Sequence, residues 1–151
     1  MNKFMKEAIK EAYKGIKAGH GGPFGCVIVK DHKIIARGHN HVVSNNDPTC
    51  HGEIDAIRKA CKKLKTFDLS GCELYTSGYP CPMCFCAILW ANIEKVYYGC
   101  NTTDTEIIGF RDKAFEESIP DRKVAICEEV DRDLCLELYR DYAAIQNKIN
   151  Y

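Results

Sequence analysis

The sequence predicts an α/β protein, a three-layer α/β/α sandwich around a mixed five-stranded sheet. Three observations support this: a helix precedes a β-hairpin, helices and strands then alternate, and no repeat or linker divides the chain. Such alternation places helices on both faces of a partly parallel sheet, with right-handed connections between the parallel strands. The 151 residues are expected to form one domain, residues 1–151, which is long enough to bury a core without disulfide bonds.

Elements in the first half of the chain are predicted from hydrophobic spacing and from glycine and proline. Apolar residues recur at helical spacing over the first 16 residues, and Gly19 ends that helix. Apolar runs on either side of Asp31-His32 are typical of a hairpin. After Thr49 the helical spacing returns. The predicted order is a helix at 2–18, strands at 24–29 and 33–38, a polar loop at 40–48 and a helix from about 50 to 64.

Strands and helices alternate in the second half. The segment CELYTS is a predicted strand, and Pro80 and Pro82 mark the start of a helix, where the missing N–H of proline would have no partner in any case. The segment IEKVYYG is a further strand. The predicted order is a strand at 72–77, a helix from 80 to about 91, a strand at 93–99, a helical or irregular stretch at 104–119, a fifth strand at 123–130 and a final helix from 131 to about 149.

The charge balance bears on the class of partner. Lys and Arg together number 21, as do Asp and Glu, so the formal net charge is zero. Proteins that bind polyanions usually have a basic excess or a basic stripe. The balance therefore argues against a nucleic-acid partner, and near-neutrality also favours self-association.

Ten cysteines indicate either a secreted disulfide framework or a reduced chain with a metal site. The N-terminal segment MNKFMKEAIKEAYKGIKAG is charged and amphipathic, and it lacks the apolar core of a signal peptide. No segment approaches the roughly 18 apolar residues of a membrane span. The sequence thus predicts a cytoplasmic protein with reduced thiols and no membrane association.

Two short motifs offer the thiolate and imidazole ligands that Zn²⁺ prefers: His51-Gly52-Glu53 and Cys81 with Cys84. The two cysteines, three residues apart at the start of a helix, point to the same side, where the helix dipole favours thiolates. His51, at the start of another helix, is the third ligand. Three protein ligands and one open position indicate a catalytic site with one zinc ion per chain. The open position would hold a water whose pKa the metal lowers to about 7.

Glu53 lies two residues past His51. We expect its carboxylate to stand beside the bound water rather than on the metal. There it can take a proton from the water and pass it to a ring nitrogen and then to a leaving amine. A partly dry pocket suits this role, because burial raises the pKa of a carboxyl group.

Two alternatives leave the protein without hydrolytic activity. Cys81 and Cys84 form a C-x-x-C motif, which in an α/β protein can be a redox pair, but this would leave the His-x-Glu motif unexplained. A structural zinc site would need a fourth ligand, with Cys86 or Cys50 as candidates. Cys86 is only two residues past Cys84 and would point to another face of the helix.

The combination H-x-E with P-C-x-x-C resembles the signature of the cytidine deaminase-like zinc deaminases. Within that superfamily the chain is similar to the bacterial guanine deaminases over most of its length, most weakly after residue 113. The similar segments are GGPFGCVIV at 21–29, SNNDPTCHGEIDAIRKAC at 44–61, LYTS at 74–77, PCPMCFCAILWA at 80–91 and GF-x-D at 109–112. The resemblance implies the α/β/α fold, a homodimer, and hydrolysis of guanine, a small purine base, to xanthine and ammonia.

Positions matched to the family imply further roles. His51, Cys81 and Cys84 would bind zinc, and Glu53 would move protons. The implied substrate contacts are Asn40 on the purine, Asp112 at its amino side, Phe24 and Trp90 in the pocket wall, the backbone N–H groups of Gly52 and Cys84 near the water, and Tyr151 closing the pocket. Each has a structural alternative: a turn cap for Asn40, a solvated acid for Asp112, core packing for Phe24 and Trp90, and a frayed terminus for Tyr151.

One departure from the family pattern concerns the substrate. Gly78-Tyr79 stands before Pro80, where the family usually has Cys-Glu, so the pocket rim or the subunit contact is expected to differ. The nearest alternative function is a tRNA adenosine deaminase, against which the zero net charge argues. A deaminase of guanosine, cytosine or another aminopurine also fits the zinc motifs.

Overall fold

The computed structural model describes residues 2–119 together with residues 132, 136 and 146. Helices and strands alternate over this range much as the spacing predicts. In chain order the elements are α1 (Lys3–Lys17), β1 (Gly25–Lys30), β2 (Lys33–His39), α2 (Val42–Asn45), α3 (Gly52–Leu64), β3 (Glu73–Gly78), α4 (Pro82–Trp90), β4 (Lys95–Cys100), α5 (Thr102–Ile107) and α6 (Asp112–Ser118).

The four described strands form one mixed sheet in the order β2-β1-β3-β4. β1 pairs antiparallel with β2 and with β3, whereas β3 pairs parallel with β4. This confirms the predicted α/β class and the mixed sheet. The predicted strand at 123–130 and the predicted helix at 131–149 lie outside the described residues, apart from the three single positions.

Side chains of β1 alternate between two hydrophobic clusters. Cys26 and Ile28 belong to the cluster that includes the α3 and α4 residues Ala56 and Ile88. Val27 and Val29 belong to the other cluster, which includes Phe4 and Ala8 of α1. Because successive residues of a strand point to opposite faces, helices cover both faces of this part of the sheet.

Two glycines let helices approach the sheet closely. A Cβ atom on Gly25 would lie 2.2 Å from the Ala8 carbonyl oxygen of α1. A Cβ atom on Gly38 would lie 2.4 Å from the Gly52 carbonyl oxygen at the start of α3. The second contact matters for the site, because it fixes the N-terminus of α3 against the end of β2.

The hairpin turn is confirmed at Asp31 and His32, whose φ angles of 48° and 58° are those of a primed turn. The prediction of a loop throughout 40–48 is wrong, because Val42–Asn45 forms the short helix α2. Four residues are too few for helical periodicity to be visible, and Asn46 ends the helix in the left-handed region with φ 48°. The first strand begins at Gly25, one residue later than predicted.

The stretch predicted as helical or irregular at 104–119 resolves into α5 and α6. Asn101 and Asp104 form a capping box at the start of α5, with each side chain accepting from the backbone N–H of the other residue. Gly109, with φ 93°, lies between the two helices. Among the described residues, no helix is both long and apolar enough to cross a membrane.

Candidate metal and active site

The starts of α3 and α4 bring the three predicted metal ligands together. His51 is the N-cap residue of α3, Cys81 is the N-cap residue of α4, and Cys84 lies in the first turn of α4. One ligand atom from each of them lies within 4.8 Å of the others. The Cys81 Sγ and His51 Nδ1 atoms are 3.5 Å apart, which is about the edge of a tetrahedron with zinc–ligand bonds of roughly 2.0–2.3 Å.

Hydrogen bonds link the thiols of Cys81 and Cys84 and the imidazole of His51, and they shift the pKa values of all three groups. A hydrogen bond with Cys84, assisted by one with His51, lowers the pKa of the Cys81 thiol to about 4. The same hydrogen bond with Cys81, together with burial, raises the pKa of Cys84. The hydrogen bond with Cys81 also raises the pKa of His51. These shifts favour a thiolate at Cys81 beside a histidine and a second thiol, and zinc binding would displace the remaining protons.

Neither proposed fourth ligand joins this group among the described residues. Cys86 is exposed, and the Cys50 sulfur accepts a hydrogen bond from the Asn45 amide at 3.6 Å instead. Three ligands of the thiolate and imidazole type fit Zn²⁺ with one coordination position left open, as in catalytic zinc sites. The arrangement does not favour a structural four-ligand site, and His51 beside the cysteines is not explained by a redox pair.

Glu53, in the first turn of α3, is buried beside the ligands, with only 5% of its surface exposed. Its Oε1 atom accepts a hydrogen bond from the Thr76 hydroxyl at 3.2 Å, which fixes the carboxyl group. Burial raises the pKa of Glu53. A carboxyl group held in this way is suited to take and release protons rather than to stay permanently charged.

A cavity of about 540 Å³ opens beside the metal ligands. Phe24 and Phe110 meet edge to face in its wall, with ring centroids 4.8 Å apart. The volume lies within the range of small-molecule sites. The lining residues are Gly22, Phe24, Asn40, Val42, Val43, Pro48, His51, Glu53, Tyr79, Cys81, Gly109, Phe110, Arg111, Asp112 and Phe115.

Asn40 lines this cavity and also caps a turn. Its side-chain Oδ1 accepts from the Val42 N–H at 3.0 Å, and its backbone N–H donates to the Phe24 carbonyl at 2.9 Å. The side chain is 3% exposed. Since Oδ1 is occupied by the backbone, the Nδ2 group is the part of the amide left for a ligand.

Asp112, the first residue of α6, lies in the cavity wall. Burial raises the pKa of its carboxyl group, and the nearby Cys81 thiolate adds to this effect. A carboxyl group in this position is not merely a solvated surface acid. It offers a hydrogen-bond acceptor to a ligand next to the metal ligands.

The other three predicted substrate contacts are Trp90, Gly52 and Tyr151. Trp90 ends α4, is 66% exposed and is not among the described residues that line this cavity, so its place in the pocket wall stays a prediction. Gly52 is buried as the first residue of α3, next to the Phe24 backbone. Tyr151 lies outside the described residues.

Several cavity residues were not predicted as ligand contacts, among them Phe110 and Tyr79. Phe110 stands two residues before Asp112 in the segment GF-x-D, so that segment was the available signal. Tyr79 was noted only as a departure from the family pattern, and it proves to line the cavity. Gly78, the other unusual residue, leaves ordinary contact space, since a Cβ atom there would lie 3.4 Å from the Phe24 ring.

Comparisons with known proteins agree with this geometry. The model of the cytidine and deoxycytidylate deaminase zinc-binding region matches residues 1–100. A guanine deaminase from Bacillus subtilis is 45% identical, over 98% of this chain and 97% of that protein. A tRNA-specific adenosine deaminase from Aquifex aeolicus is 44% identical, but over only 64% of this chain and 63% of that protein. The X-ray structure of guanine deaminase from Bacillus subtilis superposes with a TM-score of 0.94, covering 100% of this chain and 99% of that one at 43% identity.

Proposed function

The chain belongs to the cytidine and deoxycytidylate deaminase zinc-binding family, and from that premise we propose that it is a zinc-dependent aminohydrolase that converts guanine and water to xanthine and ammonia. The observation that supports this best is the lining of one cavity by two metal ligands, His51 and Cys81, together with Glu53 and Asn40. The near full-length similarity to a guanine deaminase, compared with the partial similarity to tRNA deaminases, supports the choice of base.

The zinc ion would be held by His51, Cys81 and Cys84. When bound, zinc supplies a water molecule made acidic enough to attack carbon at neutral pH. The remaining chemistry belongs to Glu53, whose carboxylate accepts a proton from that water. It passes this proton to the ring nitrogen beside C2 while the oxygen–carbon bond forms.

Glu53 acts again as the carbon–nitrogen bond breaks. It takes the remaining proton from the oxygen now bound to C2 and carries it to the exocyclic amino group, which leaves as ammonia as the ring carbonyl of xanthine forms. The hydrogen bond from Thr76 keeps the carboxyl group near both positions. The water supplies the oxygen of xanthine and its protons end on ammonia and the ring, so atoms and charges balance.

The purine would be held by its faces and its edge. Phe24 and Phe110 provide aromatic contacts for the ring. Asn40 would donate its Nδ2–H to a purine acceptor, and Asp112 would accept a hydrogen bond near the amino group. These four side chains all line the cavity next to Glu53.

The wider architecture is part of the same proposal. We infer one domain over residues 1–151, a three-layer α/β/α sandwich whose fifth strand comes from the C-terminal part of the chain. We also infer a homodimer, supported by the zero net charge and by exposed apolar side chains on α4 such as Leu89. The cytoplasmic location stays a prediction from the sequence.

The test is ammonia release from a set of substrates by purified, zinc-loaded protein. The set contains guanine, guanosine, adenine, cytosine and a tRNA with adenosine at the wobble position. We expect rapid release from guanine and at least 100-fold lower kcat/KM for the others. Release from another member of the set but not from guanine would refute the choice of substrate.

A matched pair of cysteine variants provides the control. Cys84→Ser removes a metal ligand and should abolish both zinc retention and ammonia release, because a serine hydroxyl is a poor zinc ligand. Cys86→Ser changes an exposed thiol in the same helix and should alter neither. Zinc loss in Cys86→Ser would instead point to a four-ligand structural site.

A further inference from the structure

Three of the five histidines form a cluster apart from the site described above. His20 follows α1, and His39 and His41 stand on either side of Asn40 at the end of β2. Ligand nitrogens of the three rings all lie within 4.8 Å of one another. His39 is buried, and His20 and His41 are half-buried. The proposed deamination uses none of these imidazoles.

Glu11 fixes the orientation of the central ring. Its Oε2 atom lies 3.0 Å from Nδ1 of His39, so the carboxylate holds the ring proton on Nδ1 and leaves the lone pair on Nε2. That Nε2 atom lies 2.9 Å from Nδ1 of His20. A carboxylate behind the imidazole is the usual outer partner of a metal-ligating histidine, because it sets the tautomer and raises the basicity of the other nitrogen.

His39 is held from both sides by the fold. A Cβ atom on Gly15 would come within 2.7 Å of its ring, so the backbone of α1 lies directly against the imidazole. Its backbone N–H donates to Asp55 Oδ2 at 3.3 Å. A ring that is already fixed loses little conformational freedom when it binds a ligand.

His41 and Asp55 extend the set of donors. Nε2 of His41 lies 3.7 Å from Asp55 Oδ2, and Nδ1 lies 3.2 Å from the Ser44 hydroxyl. Two carboxylates, those of Glu11 and Asp55, therefore stand beside three imidazoles. Each carboxylate also faces a lysine, at 3.8 Å for Lys14 and 2.6 Å for Lys59.

We propose that His20, His39 and His41 form a second metal site, separate from the catalytic one, for a divalent ion of borderline softness such as Zn²⁺ or Co²⁺. Imidazole nitrogens suit such ions. Asp55 or a water molecule would complete a tetrahedron. The negative charges of Glu11 and Asp55 offset the charge of the ion.

Small side-chain movements would complete the geometry. Nitrogens around a tetrahedral zinc ion stand about 3.4 Å apart, so the 2.9 Å contact between His20 and His39 has to open by about half an ångström. The His41 ring is stacked on the His39 ring with centroids 4.2 Å apart, so the His41 ring must turn for both nitrogens to face one point. Only the half-buried rings of His20 and His41 need to move, because His39 is fixed.

The second site would connect to the substrate cavity through α2. The His20 carbonyl oxygen accepts from the backbone N–H groups of Val43 and Ser44 at 3.0 and 3.1 Å. Val43 lines the cavity, as does Asn40 between the two clustered histidines. A metal ion on the three rings would thus tie together the segments that support the substrate-binding asparagine.

The test uses full-length protein whose cysteine site already holds zinc, titrated with Co²⁺. We expect one Co²⁺ per chain, measured by equilibrium dialysis and elemental analysis, with visible absorption bands and no near-ultraviolet thiolate band. The absence of that band separates a histidine site from exposed cysteines. His20→Asn and His41→Asn should each lower Co²⁺ affinity at least 10-fold, and Glu11→Gln should lower it roughly 10- to 100-fold through the outer partner.

His32→Asn is the matched control. His32 is exposed in the hairpin turn with φ 58°, a conformation that asparagine tolerates, so this variant should bind Co²⁺ as the parent does. If a variant misfolds, the Co²⁺ stoichiometry and the absorption spectrum of the parent protein alone test the proposal. No second equivalent of metal, a second equivalent with thiolate absorption, or unchanged affinity in both His20→Asn and His41→Asn would overturn the proposal. If the three histidines took up protons but bound no metal, the proposal would also be overturned, and the cluster would be assigned to proton binding instead.

Discussion

The Asn40 side chain has two roles, a hydrogen bond at the start of α2 and a proposed contact with the ligand. Oδ1 accepts from the Val42 N–H at the start of α2, and the residue lines the cavity, so Nδ2 is the group proposed to contact a ligand. The sequence offered a cap and a substrate contact as alternatives for this residue. The structure shows that the cap is present and that the same residue lines the cavity, so the two roles do not compete.

Glu53→Gln separates proton transfer from metal binding. The amide keeps the shape of the side chain and its contact with Thr76 but cannot accept a proton, so kcat should fall about 10²- to 10⁴-fold. Zinc content should stay at one ion per chain in the catalytic site. The measurements are steady-state ammonia release and elemental analysis. Glu94→Gln, at an exposed position, should leave both unchanged, and a Glu53→Gln variant with full activity would rule out the proposed role.

Asn40→Asp tests the donor role of the amide. The carboxylate retains an acceptor for the Val42 N–H but loses the Nδ2–H donor, so kcat/KM for guanine should fall about 10- to 100-fold, as expected for one unpaired buried group. The matched change Asn101→Asp replaces one good helix cap by another at an exposed position and should have no effect. Equal kcat/KM for Asn40→Asp and the parent would contradict the assignment.

The proposed metal ligands and Glu53 were predictable because residues with the required side-chain chemistry occur a few positions apart in the sequence. His51 and Glu53 are two residues apart, Cys81 and Cys84 are three apart, and each pair opens a helix. Trp90 was not predictable in the same way. Its place in the pocket wall was implied by the family resemblance alone, and at the end of α4 the residue is 66% exposed, so its contact with a substrate stays a prediction.

At the scale of elements, the long helices and the hairpin follow from periodicity, whereas α2 does not. Its Val42 N–H donates to the Asn40 side chain, a local cap that the sequence did offer. The N–H groups of Val43 and Ser44 donate to the His20 carbonyl, which belongs to a distant turn. Local sequence preference could not show this second contact and indicated only a polar loop.

The contact between β2 and α3 positions His51 and Glu53, and Gly38 makes it possible. In Gly38→Ala the added Cβ atom would meet backbone atoms of Gly52 and Ala56 at 2.4 and 2.5 Å, so α3 must shift. We expect the free energy of unfolding to drop by about 1–3 kcal/mol, as for other overpacked cores. Urea denaturation of the zinc-loaded protein measures this change, and zinc affinity should weaken as well.

Gly78→Ala is the strand control for this experiment. Its Cβ atom would lie 3.4 Å from the Phe24 ring, which is ordinary contact, so the free energy of unfolding should change by less than about 1 kcal/mol. If Gly38→Ala proved as stable as Gly78→Ala, close backbone approach would not be what positions α3.

At the scale of the molecule, the order of strands shows why one site forms from distant segments. β1 lies between β2 and β3, so the chain after β2 and the chain after β3 begin on either side of the same strand. These two segments lead to His51 and to Cys81. The sequence predicted both helix starts, but only the sheet order shows that they meet over β1.

The exposed face of α4 is the surface expected to join two copies of the chain. Phe85 and Leu89, four residues apart and therefore on one side of the helix, are 40% and 58% exposed. A protein with 21 basic and 21 acidic residues has no net charge to keep copies apart.

Leu89→Glu places a carboxylate on each side of the proposed interface, where repulsion and desolvation oppose association. Light scattering after size exclusion should show a dimer for the parent and a monomer for Leu89→Glu. Ile107→Glu, at a position on α5 that is 78% exposed, should remain dimeric. A dimeric Leu89→Glu protein would move the interface away from α4, and a monomeric parent would remove the dimer from the proposal while leaving the zinc chemistry intact.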